Sequence, residues 1–167
     1  EPLIEALHRG ELDLLLLALP VAAEGVETMR LFDDPFLLAT PADHPLARSK
    51  SLRTDALKGQ ELLLLEDGHC LRDHALEACK LRGVEYTVPY QATSLTTVIQ
   101  MVASGIGITL LPGMAIDNAS VSASDVTVTP FCEADVTREI GLMWRRKTPR
   151  IAEFRLLGDY IMQHQTR

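Results

Sequence analysis

The longest apolar run in the chain, Leu14 to Leu19, restricts the fold more than any other feature. It has the length of a strand and is far too short to span a bilayer. Taken with its flank, Leu12 to Leu19 fits a strand covered on both faces, as in a parallel sheet. Just before it, Leu3, Ile4 and Leu7 recur at helical spacing, and Gly10 is placed to stop that helix. A helix feeding a buried strand predicts an α/β fold. The helix starts at residue 1 with no capping residue ahead of it, as expected of a chain cut from something larger.

The rest of the chain continues the alternation. Asp33-Asp34-Pro35 signals a turn, and Pro41, Asp43 and Pro45 break regular structure, so this region is a candidate hinge. Glu61 to Leu65 reads as a second buried strand, Glu85 to Tyr90 as a further one and Ile106 to Leu111 as a third buried one. Between the last two, Thr93-Ser94 caps a helix with apolar face Leu95, Val98, Ile99 and Val102. The segment Asp117 to Asp125 reads as loop. Val126 to Phe131 and Glu139 to Trp144 are strands, and the polar stretch between them suits a second crossing between lobes. The closing helix takes Thr148 as cap, Pro149 in its first turn and Ile151, Phe154, Leu157, Tyr160 and Ile161 as its apolar face.

With 167 residues and 47% hydrophobic content, the chain can bury one ordinary domain or two small lobes. Its formal net charge of -7 argues against non-specific nucleic-acid binding by this chain, because that binding is supplied mainly by Lys and Arg neutralising phosphates. Any DNA contact requires another segment. With neither a signal-peptide pattern nor an apolar run of spanning length, the expected location is the cytoplasm, with no membrane partner.

Three cysteines are too few and too odd in number for a secreted disulfide framework. Cys70 and Cys79 flank a run of good helix formers within Glu66 to Gly83. If Leu71 to Arg82 is one helix, Cys79 lies on the opposite face from Cys70 and roughly 13 Å further along the axis. A disulfide needs α-carbons within about 7 Å. The pair therefore cannot bond while the segment keeps that shape. Cys70 follows a strand and enters the first turn of a helix, where the helix dipole favours a thiolate, although Glu66 and Asp67 oppose it. Whether it is reactive or simply half-exposed stays open on position alone. Cys79 shares a stripe with Leu71, Ala75 and Ala78, which makes it a core residue. Reaching it from an oxidised Cys70 would require this helix to come apart.

Other chemistry finds less support. His69, Cys70, His74 and Cys79 are all metal-capable, but Cys79 faces away and no Cys-x-x-Cys half-site exists, so no metal is expected. No glycine-rich phosphate loop, Gly-x-Ser-x-Gly elbow or paired-carboxylate motif is present, so no cofactor is expected. Cys132 reads as packing. Arg145, Arg146, Lys147 and Arg150 read as a solvated turn or, less strongly, a partner or phosphate contact.

The segment Glu66-Asp-Gly-His-Cys-Leu-Arg-Asp73, a second cysteine at Cys79, Ala92-Thr-Ser-Leu95 and the block Met101 to Pro112 resemble the peroxide-sensing branch of the LysR-type transcriptional regulators. Gly10 to Asp13 and Leu31 to Pro45 extend the likeness nearly end to end. The resemblance implies a two-lobed effector domain of the periplasmic-binding-protein type, truncated at its N-terminus. Residues 1–35 and 138–167 would form part of the first lobe, and 36–137 the second. It also implies that Cys70 is the peroxidatic cysteine and Cys79 the resolving one, closing a reversible disulfide, with His69 and Arg138 near the peroxide. The implied partners are hydrogen peroxide, a second copy in a homodimer or a full-length tetramer, DNA through a winged-helix domain outside this chain, and a glutaredoxin- or thioredoxin-type reductant. The rivals are an effector domain with an organic ligand in the inter-lobe cleft and a thiol peroxidase.

Overall fold

The computed structural model describes residues 2–66, 70–79, 91–116 and 125–164. In chain order the elements are α1 (Pro2–Arg9), β1 (Leu14–Leu19), β2 (Val26–Pro41), β3 (Leu64–Leu65), α2 (Cys70–Ala78) and β4 (Gln91–Ala92). After them come α3 (Leu95–Ala103), β5 (Thr109–Pro112), β6 (Val126–Pro130), β7 (Thr137–Arg145) and α4 (Ile151–Gln163). Short 3-10 turns occupy Pro45–Arg48, Thr54–Leu57 and Gly113–Ala115. The strand expected over Glu85 to Tyr90 and most of the Asp117 to Asp125 loop lie outside the described residues. By internal contacts the chain separates into two compact units, Glu1–Asp33 with Arg138–Arg167, and Asp34–Thr137.

In the first unit β7 takes the middle place, with β1 on one side. β1 runs antiparallel to it, from Leu14 opposite Trp144 to Leu19 opposite Glu139. This corrects the parallel expectation for Leu12 to Leu19: the run is long and apolar, yet Leu16 is 53% exposed. β7 itself is buried on both faces, and its period of two sorts the core. Leu142 and Trp144 pack with Leu31 and Phe154 of α4, while Met143 packs with Leu7, Leu15 and Val26. Gly141 is required here, because a Cβ would meet the Met29 carbonyl oxygen at 2.7 Å and the side chain of Leu19.

α1 ends where Gly10 adopts φ +79, and the Glu11 and Leu12 amides donate back to the Ala6 carbonyl. Arg145 donates to the carbonyls of Leu7 and Leu12 and pairs with Asp13 at 2.7 Å. Arg150 joins the same carboxylate at 2.9 Å, and Arg146 donates to the Val26 carbonyl. Within this exposed cluster Arg145 is therefore a structural tie and not a purely solvated side chain. The cluster ties α1, β2 and the entry to α4 together.

The face expected for α4 is also corrected. Phe154 and Gly158 are the buried positions, with Ile151 and Ile161 packed beside them, whereas Leu157 is 42% and Tyr160 59% exposed. A glycine adds no apolar signal to a helical stripe, but it lets α4 approach Met29, whose sulfur would lie 2.6 Å from a Cβ at 158. Thr148 is not the cap. Arg150 holds that position, and its amide donates to the Thr148 hydroxyl at 3.3 Å.

In the second unit the later half of β2 is flanked on both sides by antiparallel partners. β5 pairs from Phe36 opposite Pro112 to Ala39 opposite Thr109, and β6 from Leu37 opposite Pro130 to Pro41 opposite Val126. Asp33-Asp34-Pro35 is thus strand, not turn. Asp34 is buried, and its carboxylate accepts from the Met114 amide at 2.9 Å, while the Phe36 amide donates to the Val136 carbonyl. A polar triplet that signals a turn in isolation is held extended by tertiary hydrogen bonds.

A small parallel arrangement completes the unit. β3 pairs with β4, Leu64 opposite Gln91 and Leu65 opposite Ala92, and Leu62 bridges Ile108 in parallel. Of the expected strand Glu61 to Leu65, only Leu64 and Leu65 form one, and the third buried strand shifts to Thr109–Pro112. α3 follows its sequence closely. The Ser94 hydroxyl accepts from the Thr97 amide at 3.2 Å, a cap worth about 1 kcal/mol, and Val98, Ile99 and Val102 are buried.

Candidate functional site at the start and end of α2

β3 delivers the chain to the cysteine segment. The Glu66 amide donates to the Ala92 carbonyl at 3.2 Å, so the parallel pair ends there, and α2 opens at Cys70. The Arg72 guanidinium reaches back to the Leu65 carbonyl at 3.4 Å and spans the gap between strand and helix. Cys70 thus sits beyond the carboxyl end of a parallel strand, at the first residue of a helix, with its side chain exposed.

The helix is shorter than the expected span of Leu71 to Arg82: it closes at Ala78, and residues 80–82 lie outside the described residues. Its hydrogen-bond pattern still reaches Cys79, whose amide donates to the Ala75 carbonyl at 3.1 Å. At the rise of a helix this places Cys79 about 13 Å along the axis from Cys70 and on the opposite face. All three cysteines carry free thiols.

The two environments are opposites. Cys79 is 2% exposed in a cluster with Leu52, Leu57, Ala75, Leu76 and Val136. Burial, helped by the charge of Glu133, pushes its thiol up to about 12. A thiol held protonated is a poor nucleophile and a poor target for peroxide. Cys79 is therefore inert where it stands, and it can attack another sulfur only after leaving the core.

Arg138 lies at the start of β7 in the first unit, half-buried. His69 lies outside the described residues. His74 belongs to α2, and among the described residues no group of three or more His, Cys, Asp or Glu is placed to hold a metal ion. Cys132 corrects its reading as packing. It is exposed, its sulfur 3.1 Å from the Ser51 hydroxyl, and its amide donates to the Leu52 carbonyl. Reading the sequence also misses Glu133 and Thr54, which meet across the second unit. Their separation of 79 residues leaves no local signal.

Comparison with known proteins identifies the family. The family model for the LysR substrate binding domain matches residues 1–166. A probable hydrogen peroxide-inducible genes activator of Mycobacterium avium is 39% identical over 100% of this chain and 55% of its own length. The DNA-binding transcriptional dual regulator OxyR of Escherichia coli is 39% identical over 95% of this chain and 52% of its own length. The chain thus spans about half the length of these curated relatives. Among solved structures, the reduced regulatory domain of OxyR2 from Vibrio vulnificus superposes with a TM-score of 0.86 at 38% identity, covering 97% of this chain and 76% of that one. A hydrogen-peroxide-bound cysteine-to-serine mutant of Corynebacterium glutamicum OxyR gives 0.86 at 33% identity, covering 97% and 52%. The chain, a mixed α/β domain, belongs to the LysR substrate-binding-domain family and within it is similar to the OxyR regulatory domains.

Proposed function

We propose that the chain is the peroxide-sensing regulatory domain of a LysR-type transcription factor, switched by a reversible disulfide between Cys70 and Cys79. The observation that carries this reading is the pairing of an exposed thiol at the start of α2 with a buried, protonated one at its end. It is supported by the likeness to peroxide-inducible activators, one of them solved with peroxide bound.

The chemistry balances as follows. The Cys70 thiolate attacks one peroxide oxygen, the O–O bond breaks, and Cys70 becomes a sulfenic acid while the second oxygen leaves as water after taking up a proton. His69 and Arg138, by resemblance, orient the peroxide and stabilise the charge that develops. Once the end of α2 opens, Cys79 loses its proton and attacks the Cys70 sulfur. The S–S bond forms, the S–O bond breaks and a second water leaves. Two thiols are oxidised and one peroxide is reduced.

The two compact units would be the lobes of the effector domain, with the cysteines in the second. The signal would pass through a homodimer or tetramer to DNA held by a domain outside this chain, in the cytoplasm, and a glutaredoxin- or thioredoxin-type reductant would reset the switch. Such a sensor reacts once per reduction and does not turn over as a peroxidase. A low dose of peroxide, a sulfenic-acid trap and disulfide mapping by mass spectrometry test the proposal. Sulfenic acid at Cys70 in Cys79→Ser and a 70–79 disulfide in the parent are expected. Reduced cysteines after peroxide, or pairing with Cys132, would overturn it.

A further inference from the structure

The compartment that holds the Cys79 thiol has two walls from distant parts of the sequence. Leu52 and Leu57 supply one and Val136 another, all in the cluster that buries Cys79. A backbone seam joins these walls. The Leu52 amide donates to the Pro130 carbonyl at 2.9 Å, and the Cys132 amide to the Leu52 carbonyl at 2.7 Å. The seam stops at Cys132. Beyond it a side chain takes over: Glu133 Oε1 accepts from the Thr54 amide at 3.1 Å and from the Thr54 hydroxyl at 3.2 Å. Immediately behind this contact is a cavity of about 240 Å³, bordered by Arg53, Thr54, Ala78, Glu133 and Val136. The end of α2 therefore faces open volume at the place where Glu133 continues the seam by its side chain.

The second oxygen of the same carboxylate, Oε2, is buried and has no hydrogen-bond partner. The carboxyl is nevertheless held below its ordinary range, first by the Thr54 amide and with help from the Thr54 hydroxyl and the charge of Arg53, so its negative charge persists beside Cys79.

We propose that Glu133 is a positioning residue for Cys79: it latches the Thr54–Leu57 turn to the segment after Phe131 and so sets how readily the Cys79 thiol escapes its compartment. Its relevance to signalling rests on Cys79 being the resolving thiol, but the latch itself is measurable without peroxide. The negative charge of Glu133 acts in the same direction, opposing formation of a thiolate while Cys79 is still enclosed.

The test uses the full-length protein with Cys70→Ser and Cys132→Ser, so that iodoacetamide can alkylate only Cys79 among the thiols of this domain. Glu133→Ala is expected to speed that alkylation about tenfold, the loss of a charge-assisted hydrogen-bond pair, and Glu133→Gln by a smaller factor. Thr54→Val, which keeps the amide donor and loses the hydroxyl, should fall between parent and Glu133→Ala, and Thr54→Ser should match the parent. The thermal midpoint is recorded for each variant. Acceleration beyond what the midpoint shift accounts for supports the latch. Acceleration that only follows global destabilisation overturns it, as does a change in Glu133→Ala of less than about twofold. If Glu133→Ala does not fold, Glu133→Gln and Thr54→Val decide by the same criteria. With native cysteines and peroxide, Glu133→Gln should leave sulfenic-acid formation at Cys70 unchanged and hasten the disulfide. Failure of Cys70 to oxidise at all would sink the sensing function, whereas the alkylation result would still judge the latch.

Discussion

Helices α2 and α4 are fastened in different ways. α4 is held along its whole length by Ile151, Phe154, Gly158 and Ile161, with Phe154 5.9 Å from Trp144 and Arg150 tied to Asp13. α2 has nine residues, of which only Ala75 and Leu76 are buried, and a further anchor, Cys79, as buried as Ala75, lies past its end. A helix this short has little stability of its own, so it depends on that small anchor. Elements that switch come from the weakly held end of a protein's stability range, and elements that stay come from the strongly held end. The contrast between these two helices is the one expected if α2 is the proposed switch.

The contrast can be broken at several points. The largest effect is expected from Phe154→Ala, which removes the ring between Leu31, Leu142 and Trp144; about 3–5 kcal/mol should be lost in urea denaturation followed by the fluorescence of the chain's single tryptophan, Trp144. Sensitivity of the Cys79 environment to that change would show that the two units are not independent. Gly141→Ala should come next, at about 1–3 kcal/mol by the same probe, because its methyl group meets the fixed Met29 carbonyl and not only a movable side chain.

A smaller effect sharpens the other side of the comparison. The Cys79 thiol titrates higher in the fold than in the unfolded chain, so its contribution is fully present below the unfolded value near 9 and is lost as pH rises toward about 12. Stability should fall by on the order of 1 kcal/mol per pH unit within that window, and Cys79→Ala should flatten that slope. An unchanged slope in the variant would remove the basis for calling Cys79 enclosed. The smallest effect belongs to Asp13→Asn. Arg145, followed by Arg150, holds the Asp13 carboxyl below the usual range, so its contribution is present at neutral pH and fades as pH falls through that lowered value. The variant should lose the Asp13 share of the acid-side slope and little else, since the pairs are half-exposed and Glu11, Asp55 and Glu133 keep lowered carboxyls of their own.

Much of the site was legible because its signals are local. Ser94 caps α3 as its position implies, Cys70 opens a helix after a strand, and Cys79 falls on the buried stripe. Apart from the cap of α4, the failures share one cause: the deciding partner is distant in sequence. Asp34 reads as a turn residue until Met114 satisfies it, and Arg145 reads as solvated until the carbonyls of Leu7 and Leu12 accept its hydrogens. Leu157 and Tyr160 outbid a glycine in any count of apolar residues, yet Gly158 alone permits the close approach. The antiparallel course of β1 is equally silent, since an apolar run does not state the direction of its neighbour.

The hydrogen bond from the Cys79 amide to the Ala75 carbonyl gives the proposed switch a clock. In that switch, oxidation of Cys70 would be as fast as peroxide arrives, but closure would have to wait for the last turn of α2 to come undone. A pulse shorter than that wait would leave only a sulfenic acid, which a cellular thiol can return to its starting state. Sustained exposure would be recorded as a disulfide. The tightness of one helical turn would then determine how long a stress must last before the cell responds.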